Sequence, residues 1–159
     1  MSGPWSAVVA TPWPEHWHFA IRCADGAVRE TGFLPASTPL QTPQDDCART
    51  AAAAVQAYFA SSRRPFRLPL AAGGTPFQQR VWHALQAIPP GRPCSYGALA
   101  AQLGSSARAV AAACRANPIP LLIPCHRVVA AHGPGGYMGA TDGAPLQLKN
   151  WLLAHEAGV

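Results

Sequence analysis

Apolar and polar positions follow two different periods along this chain. Near the start, Ser6–Ala10 and His16–Cys23 alternate like short strands, and Ala27–Leu34 continues the alternation after an Asp25-Gly26 turn signal. A Pro-containing stretch then leads to Asp45–Ala60, whose alanines, Val55 and Tyr58-Phe59 recur at helical spacing. Ser61–Gly74, with three Arg, two Pro and a Gly-Gly, reads as a linker. From there on the signals are helical. Thr75-Pro76-Phe77-Gln78 supplies an N-cap, a proline at the first helical position and a glutamine placed to complete a capping box. Phe77, Val81, Trp82, Leu85 and Ile88 trace one apolar face until Pro89-Pro90-Gly91 ends it. Ser95 caps a short helix, Tyr96 to Leu103, closed by Gly104, and Ser105 or Ser106 caps a third, Ala107 to Ala116, stopped at Asn117-Pro118. Short helix, glycine turn, second helix is the helix-turn-helix pattern. Leu121-Leu122-Ile123 is a short apolar run, read as a buried strand.

The fold class is therefore α+β: residues 1–70 form a small antiparallel-sheet domain with a helix, and residues 71–159 a mainly helical domain of winged helix-turn-helix type. At 159 residues, with 49% hydrophobic and only 12% charged, the chain is long enough for a self-sufficient core and too apolar for disorder. No apolar run approaches a membrane span, and the N-terminus, interrupted by Pro4, Pro12 and Pro14, lacks the basic region of a signal peptide. Five cysteines in an odd set without a C-x-x-C pair argue against a disulfide framework or zinc knuckle and for a reducing cytoplasm.

Charge is distributed unevenly. The net charge is +5, yet there is no Asp or Glu from Leu70 through Thr141, where Arg80, Arg92, Arg108, Arg115 and Arg127 all fall. A stretch free of carboxylates and carrying arginine fits a polyanion-binding face, although an Arg- and Ala-rich composition alone would produce the same pattern. The third helix has Arg108 in its first turn and Arg115 near its end, with almost only Ala, Val and Cys between them. Such a helix can bring its backbone close to a DNA groove; on composition alone, burial against neighbouring helices is the better reading.

Pro124-Cys125-His126-Arg127-Val128-Val129 carries the candidate chemistry. Pro124 stiffens the backbone beside the thiol, and Ile123 before it is pushed to an extended conformation. A free thiol ionises near pH 8.5, so a neutral-pH nucleophile needs help with its proton, which a neighbouring His and nearby Arg can provide. Cys beside His is weak evidence by itself, since buried structural cysteines are commoner than catalytic ones.

Taken together with its surroundings, this segment resembles the active-site motif of the O6-alkylguanine-DNA alkyltransferases. Gly74-Thr75-Pro76-Phe77-Gln78 with Val81-Trp82, Ile88-Pro89-Pro90-Gly91, Ser95-Tyr96-Gly97, Arg108-Ala109-Val110, Asn117-Pro118 and Lys149-Asn150-Trp151-Leu152-Leu153-Ala154-His155-Glu156 resemble that family in its order. The resemblance implies direct reversal of O6-alkylguanine in double-stranded DNA, with O4-alkylthymine as a possible second substrate. The alkyl group passes once, irreversibly, to Cys125; His126 takes the thiol proton through water, Glu156 orients His126, and Asn117 fixes the turn before the active-site segment. The target nucleotide must be flipped out of the stack. Arg108 is implied as the finger that fills its place, with Tyr96, Ser95, Arg115 and Ala107 at the DNA and the small-residue helix in the minor groove, independent of sequence. Tyr137, Met138, Pro120 and Val128 are implied for the base pocket. No cofactor, membrane or obligate protein partner is implied, and a monomer suffices. Some members hold a structural zinc in the first half through Cys and His. Here Cys23 has no second Cys nearby in sequence and no matching His spacing, so no metal is expected.

Several positions depart from the family pattern: the short Leu103–Ser106 turn, Ala111 where Gly is common, Met138 where a small residue is usual, and a longer 141–148 link. Three other readings are weaker. Alkyltransferase-like lesion binders carry Trp at the acceptor position, which is Cys125 here. A winged-helix transcription factor leaves Pro124–Val128 and Glu156 unexplained. Cys-His hydrolases place their base far away in sequence.

Overall fold

A computed structural model describes residues 4–13, 16–61 and 66–158. The chain divides into two compact units, Met1–Gly73 and Gly74–Val159. Among the described residues no helix is long and apolar enough to cross a membrane.

The first unit is an antiparallel three-stranded sheet in the order β1 (Ala7–Ala10), β2 (Trp17–Ala24), β3 (Ala27–Pro35), followed by helix α1 (Asp46–Ser61). The predicted Asp25-Gly26 turn closes the β2–β3 hairpin, with Ala24 paired to Ala27 and both turn residues at positive φ, 54° and 74°. That geometry matches the right-handed twist of the two strands. α1 starts where Asp45 Oδ1 accepts the Ala48 N–H at 2.8 Å. Its buried face is Ala48, Ala51, Ala52, Val55 and Tyr58. The sheet's share of this core includes Phe19, Ile21, Val28 and Phe33, with Phe19 and Phe33 edge to face at 4.9 Å. The sequence linker Ser61–Gly74 is only partly a linker. Its residues 62–65 lie outside the described residues, but Val28 bonds Pro69 O at 2.8 Å and Ala71 N at 2.9 Å, which places Pro69–Ala71 against β3.

The second unit orders as α2 (Pro76–Gln86), β4 (Cys94–Ser95), α3 (Tyr96–Leu103), α4 (Ala107–Arg115), a 3-10 turn at Cys125–Arg127, β5 (Val128–Val129) and α5 (Gly143–Glu156). The helix starts follow the sequence signals. Thr75 and Gln78 form a full reciprocal capping box, Ser95 accepts from Ala98 N at 3.0 Å, and Ser106 rather than Ser105 accepts from Ala109 N at 3.1 Å. Gly104 ends α3 in the left-handed conformation at φ 64°, which makes the tight step into α4 possible. Trp82 is buried, and its indole N–H donates to Ala113 O at 2.9 Å, locking α2 to α4.

Two readings change. Leu121–Ile123 is buried but is not a strand: Leu121 sits at φ 73°, Ile123 N donates to Ile119 O at 2.8 Å, and the segment closes as a turn. α4 is not buried all round. It buries only Val110 and Ala113, while Ala107, Arg108, Ala112 and Arg115 are exposed. The Ala-rich composition keeps an open face low and smooth instead of packing it away.

Gly74 offers a first test of this unit. A Cβ there would lie 2.5 Å from two ring carbons of Trp82, whose ring is held by the Ala113 bond and cannot swing away. Gly74→Ala is expected to lower stability by about 1–3 kcal/mol through overpacking, measured by urea unfolding of the full chain.

Candidate active site

Residues 117–124 form the base of the site. Asn117 Nδ2 donates to Ile123 O at 2.8 Å, and its Oδ1 accepts from Ile119 N at 2.9 Å, so one side chain ties both ends of the turn. A buried Leu121 in the left-handed region costs about 1–2 kcal/mol, a strain of the kind kept where the surrounding structure over-determines it. The turn delivers Cys125 at the start of the 3-10 turn, with Cys125 N bonded to Ile123 O at 2.8 Å. Val128 and Val129 then pair in parallel with Cys94 and Ser95, which hooks this segment to the start of α3.

Cys125 is 8% exposed and lines a cavity of about 180 Å³ together with Tyr96, Cys114, Arg115, Tyr137 and Met138. Cavities of about 150 Å³ hold a benzene ring, so this one admits a planar base in part. Burial pushes the Cys125 thiol up from its ordinary value; the Asn117 amide and the Lys149 ammonium pull it back.

Behind the thiol stands a buried charged cluster. His126, fully buried, faces Glu156, with Nε2 to Oε2 at 2.7 Å. Arg127 grips the same carboxylate with two bonds, Nε to Oε1 at 2.8 Å and Nη2 to Oε2 at 2.9 Å, and its Nη1 donates to Ile88 O at 2.7 Å. Gly91 allows α5 to end here: at φ 80°, its missing Cβ would lie 3.0 Å from Glu156 O. Burial alone would raise the Glu156 carboxyl, but the hydrogen bonds and charges of His126 and Arg127 win and hold it at about 2. His126 is pushed below its ordinary value by burial, which outweighs the pull of Glu156. The imidazole is therefore neutral at neutral pH. Because an ionised carboxylate only accepts, the proton sits on Nε2 and leaves a lone pair on Nδ1. Nδ1 is buried and has no hydrogen-bond partner among the described residues.

Neither Lys149 nor Arg127 has a partner that the local sequence reveals. Lys149 is fully buried on α5, donates from Nζ to Val128 O at 2.7 Å and Gly136 O at 2.9 Å, and lies 5.7 Å from the centre of the Tyr96 ring. Burial lowers it to about 8, opposed by Cys125 and Cys114. The ammonium thus pins the strand after the nucleophile to the cavity loop and places positive charge near the thiol. Lys149→Met keeps the bulk and removes charge and donors. It is expected to cost about 1–3 kcal/mol of stability, since two carbonyls lose their partner. It should also shift the pH profile of Cys125 alkylation by iodoacetamide to higher pH, read by peptide mass.

Tyr137 and Met138 stand on the cavity wall. Tyr137 and Ala140 bond each other's backbones at 2.8 and 2.9 Å around a tight turn that holds Met138 at φ 53° and Gly139 at φ 78°. Pro120 and Val128, also implied for the pocket, are not among its lining residues. Val128 is fully buried in β5, and Pro120 belongs to the turn that Asn117 closes. Ser95 spends its hydroxyl on the cap of α3. Arg108 and Ala107 lie exposed on the first turn of α4, apart from the cavity lining, while Arg115 reaches it.

Residues 76–158 match the family model described as the 6-O-methylguanine DNA methyltransferase, DNA binding domain. A methylated-DNA–protein-cysteine methyltransferase from Salmonella typhimurium is 54% identical over 92 residues, covering 56% of this chain but 51% of its own, so the match spans about half of that relative's length. The namesake from Shigella flexneri is 39% identical over 151 residues, 92% of this chain and 81% of its own. A crystal structure of Mycobacterium tuberculosis OGT in complex with DNA is similar at a TM-score of 0.78 and 34% identity, covering 95% of this chain and 91% of that one. The α+β fold, the Cys125 cavity with its buried His126 and Glu156, and these matches agree: the chain belongs to the 6-O-methylguanine DNA methyltransferase family.

Proposed function

We propose that this chain repairs O6-alkylguanine in double-stranded DNA by moving the alkyl group onto Cys125, once per chain. The observation that carries this reading is a cysteine in a cavity that admits part of a planar base, backed by an imidazole whose Nδ1 is free to accept a proton while Nε2–H is fixed on ionised Glu156. The thiol gives its proton to His126 through a bridging water. Sγ attacks the alkyl carbon in line, the S–C bond forms as the C–O6 bond breaks, and the guanine anion that leaves is reprotonated to the normal base. A thioether is not reversed by a neighbouring thiol, so the alkylated chain is the end product and no cofactor takes part.

DNA would be met by the α3–α4 helix-turn-helix, part of a winged-helix arrangement. The open small-residue face of α4 enters the minor groove without reading sequence. Flipping brings the lesion to Cys125, with Arg108 filling the gap in the stack, Tyr96 and Arg115 beside the flipped base, and Tyr137 and Met138 walling it. Asn117 holds the turn that positions the thiol. A reducing cytoplasm and a monomer suit a free-thiol reagent used one lesion at a time.

Arg108→Ala separates binding from chemistry. Transfer from a duplex should fall by at least about tenfold, a loss of roughly 1.4 kcal/mol or more, while reaction with free O6-methylguanine base stays unchanged. The reading as a whole is tested by incubating the chain with rising excesses of radiolabelled O6-methylguanine duplex. Label should plateau at one methyl per chain; continued turnover, or tight binding with no transfer, would refute it.

A further inference from the structure

Among the described residues, two buried side-chain polar atoms have no hydrogen-bond partner: His126 Nδ1 and the hydroxyl oxygen of Tyr137. The first has a place in the proposed transfer as proton acceptor; the second has none. Leaving a buried hydroxyl unpaired costs about 1–3 kcal/mol, so a tyrosine at this position calls for a physical reason. Ring packing does not supply one, because phenylalanine would wall a base equally well without that cost.

Both orphan atoms belong to the surroundings of one thiol. His126 directly follows Cys125 in the 3-10 turn, and Tyr137 shares the cavity wall with Cys125. The Tyr137 hydroxyl also lies close enough to feel charge on Cys125 and on Glu156, the carboxylate bonded to the far side of the imidazole. Neither orphan atom bonds the sulfur directly. The phenol is held in place. Tyr137 is 5% exposed, its backbone exchanges two bonds with Ala140, and Lys149 Nζ donates to the preceding Gly136 O at 2.9 Å. A Cβ on Gly136 would meet Ala140 O at 3.0 Å, so the turn has no slack. Burial pushes the phenol well above its ordinary value, and the charges of Cys125 and Glu156 act the same way, so at neutral pH it stays a neutral donor.

We propose that the Tyr137 hydroxyl positions the water that carries the thiol proton from Cys125 to His126. This deepens the alkyl-transfer reading and rests on it. A buried water needs about two to four polar partners. Sγ and Nδ1 supply two, and Tyr137 supplies the third. The hydroxyl donates to one lone pair of the water oxygen; the other lone pair accepts the S–H, and one water proton points at the Nδ1 lone pair. The S–H proton passes to the water as the water's own proton passes to Nδ1, leaving a thiolate, an imidazolium and a water. Tyr137 gives up no proton. It keeps the water in line between donor and acceptor, and so is a positioning residue.

The test compares single-turnover methyl transfer by the wild type, Tyr137→Phe, His126→Gln and the double variant, over a range of duplex concentrations and pH. Tyr137→Phe keeps the ring that walls the base. The duplex concentration for half-maximal rate should therefore hold, while the maximal rate at neutral pH falls about 10- to 100-fold. In the His126→Gln background the same change should cost less than about twofold, because a residue that acts through the relay has nothing left to position. The deficit of Tyr137→Phe should narrow from about pH 7 to about pH 9.5, where hydroxide takes the thiol proton without the relay. Tyr96, Cys114, Arg115, His126, Lys149 and Glu156, the other titratable or charged groups around the thiol, are the same in wild type and Tyr137→Phe, so the ratio of the two rates isolates the hydroxyl. A hydroxyl with no partner would make Tyr137→Phe more stable in urea and as fast as the wild type. That result, an equal fold-loss in both backgrounds, or a deficit independent of pH would overturn the inference and leave the transfer reading standing. No methyl on the wild-type chain would refute both.

Discussion

Cys125→Ala is expected to remain folded, to bind a duplex carrying O6-methylguanine, and to take up no alkyl group at all. The site has no substitute nucleophile. Cys114 also lines the cavity, but burial, the largest cause of its raised value, persists when Cys125 is removed and keeps its thiol protonated at neutral pH. Removing one buried sulfur should cost only about 1 kcal/mol of stability, so the loss of function would far exceed any loss of fold. His126→Gln supplies the intermediate case. The thiol stays while its base is lost, and transfer should slow by about 100- to 10,000-fold, the usual range for positioned proton transfer. Single-turnover quench experiments on the same duplex measure both variants.

The second large effect concerns the fold. Glu156→Ala leaves Arg127 buried with its Ile88 bond and neither of its two bonds to the carboxylate, and it frees the His126 ring. Stripping one partner from a buried ion pair costs about 3–5 kcal/mol. Urea unfolding should show a midpoint shift of that size, with transfer lost as well. Glu156→Gln keeps shape and one acceptor oxygen, so it should lose less stability. The same carboxylate gives a pH signature. Its folded value, about 2, lies below its ordinary 4.5, so the stability it adds is fully present above the unfolded value. That contribution is lost as pH falls from about 4.5 toward 2, and it amounts to at most about 3 kcal/mol. Wild-type stability should therefore fall through this window more steeply than that of Glu156→Gln. Equal slopes would mean that Glu156 is not the group held down.

What the sequence reveals about this molecule follows the range of the interactions involved. Thr75 and Gln78, Ser95, Gly104 and Ser106 bond groups within a few residues of themselves, and each appears where its chemistry predicts. The Asp25-Gly26 hairpin is legible for the same reason. Leu121–Ile123 was misread because apolarity signals burial but not conformation. The Asn117 side chain, together with a left-handed Leu121, folds the run into a turn, and neither leaves a periodic trace. The open face of α4 was misjudged because alanine is equally suited to a buried face and to one that must lie flat. At the site, Cys125, His126, Glu156 and Asn117 came from a motif. The roles of Arg127 and Lys149 depend on partners 29 and 21 residues away, which no local pattern encodes. One signal was available. Glu156 and Asp142 are the only acids after Leu70, and Lys149 is the chain's single lysine, so any buried cation in this half had few partners to choose from. In the first unit, packing of α1 on the sheet likewise brings Cys23 and Cys47, 24 residues apart, within 4.8 Å of each other, so the reading of Cys23 as without a second Cys nearby fails in space.

The central claim is that alkyl passes from guanine to the sulfur of Cys125, and peptide mapping tests it most directly. The chain is mixed with a duplex bearing one O6-methylguanine, digested and analysed by tandem mass spectrometry. The account predicts a single added methyl, located on Cys125 as a thioether, with unmodified guanine restored in the recovered duplex. A methyl on any other residue, or an unmodified chain beside a persisting lesion, would contradict it.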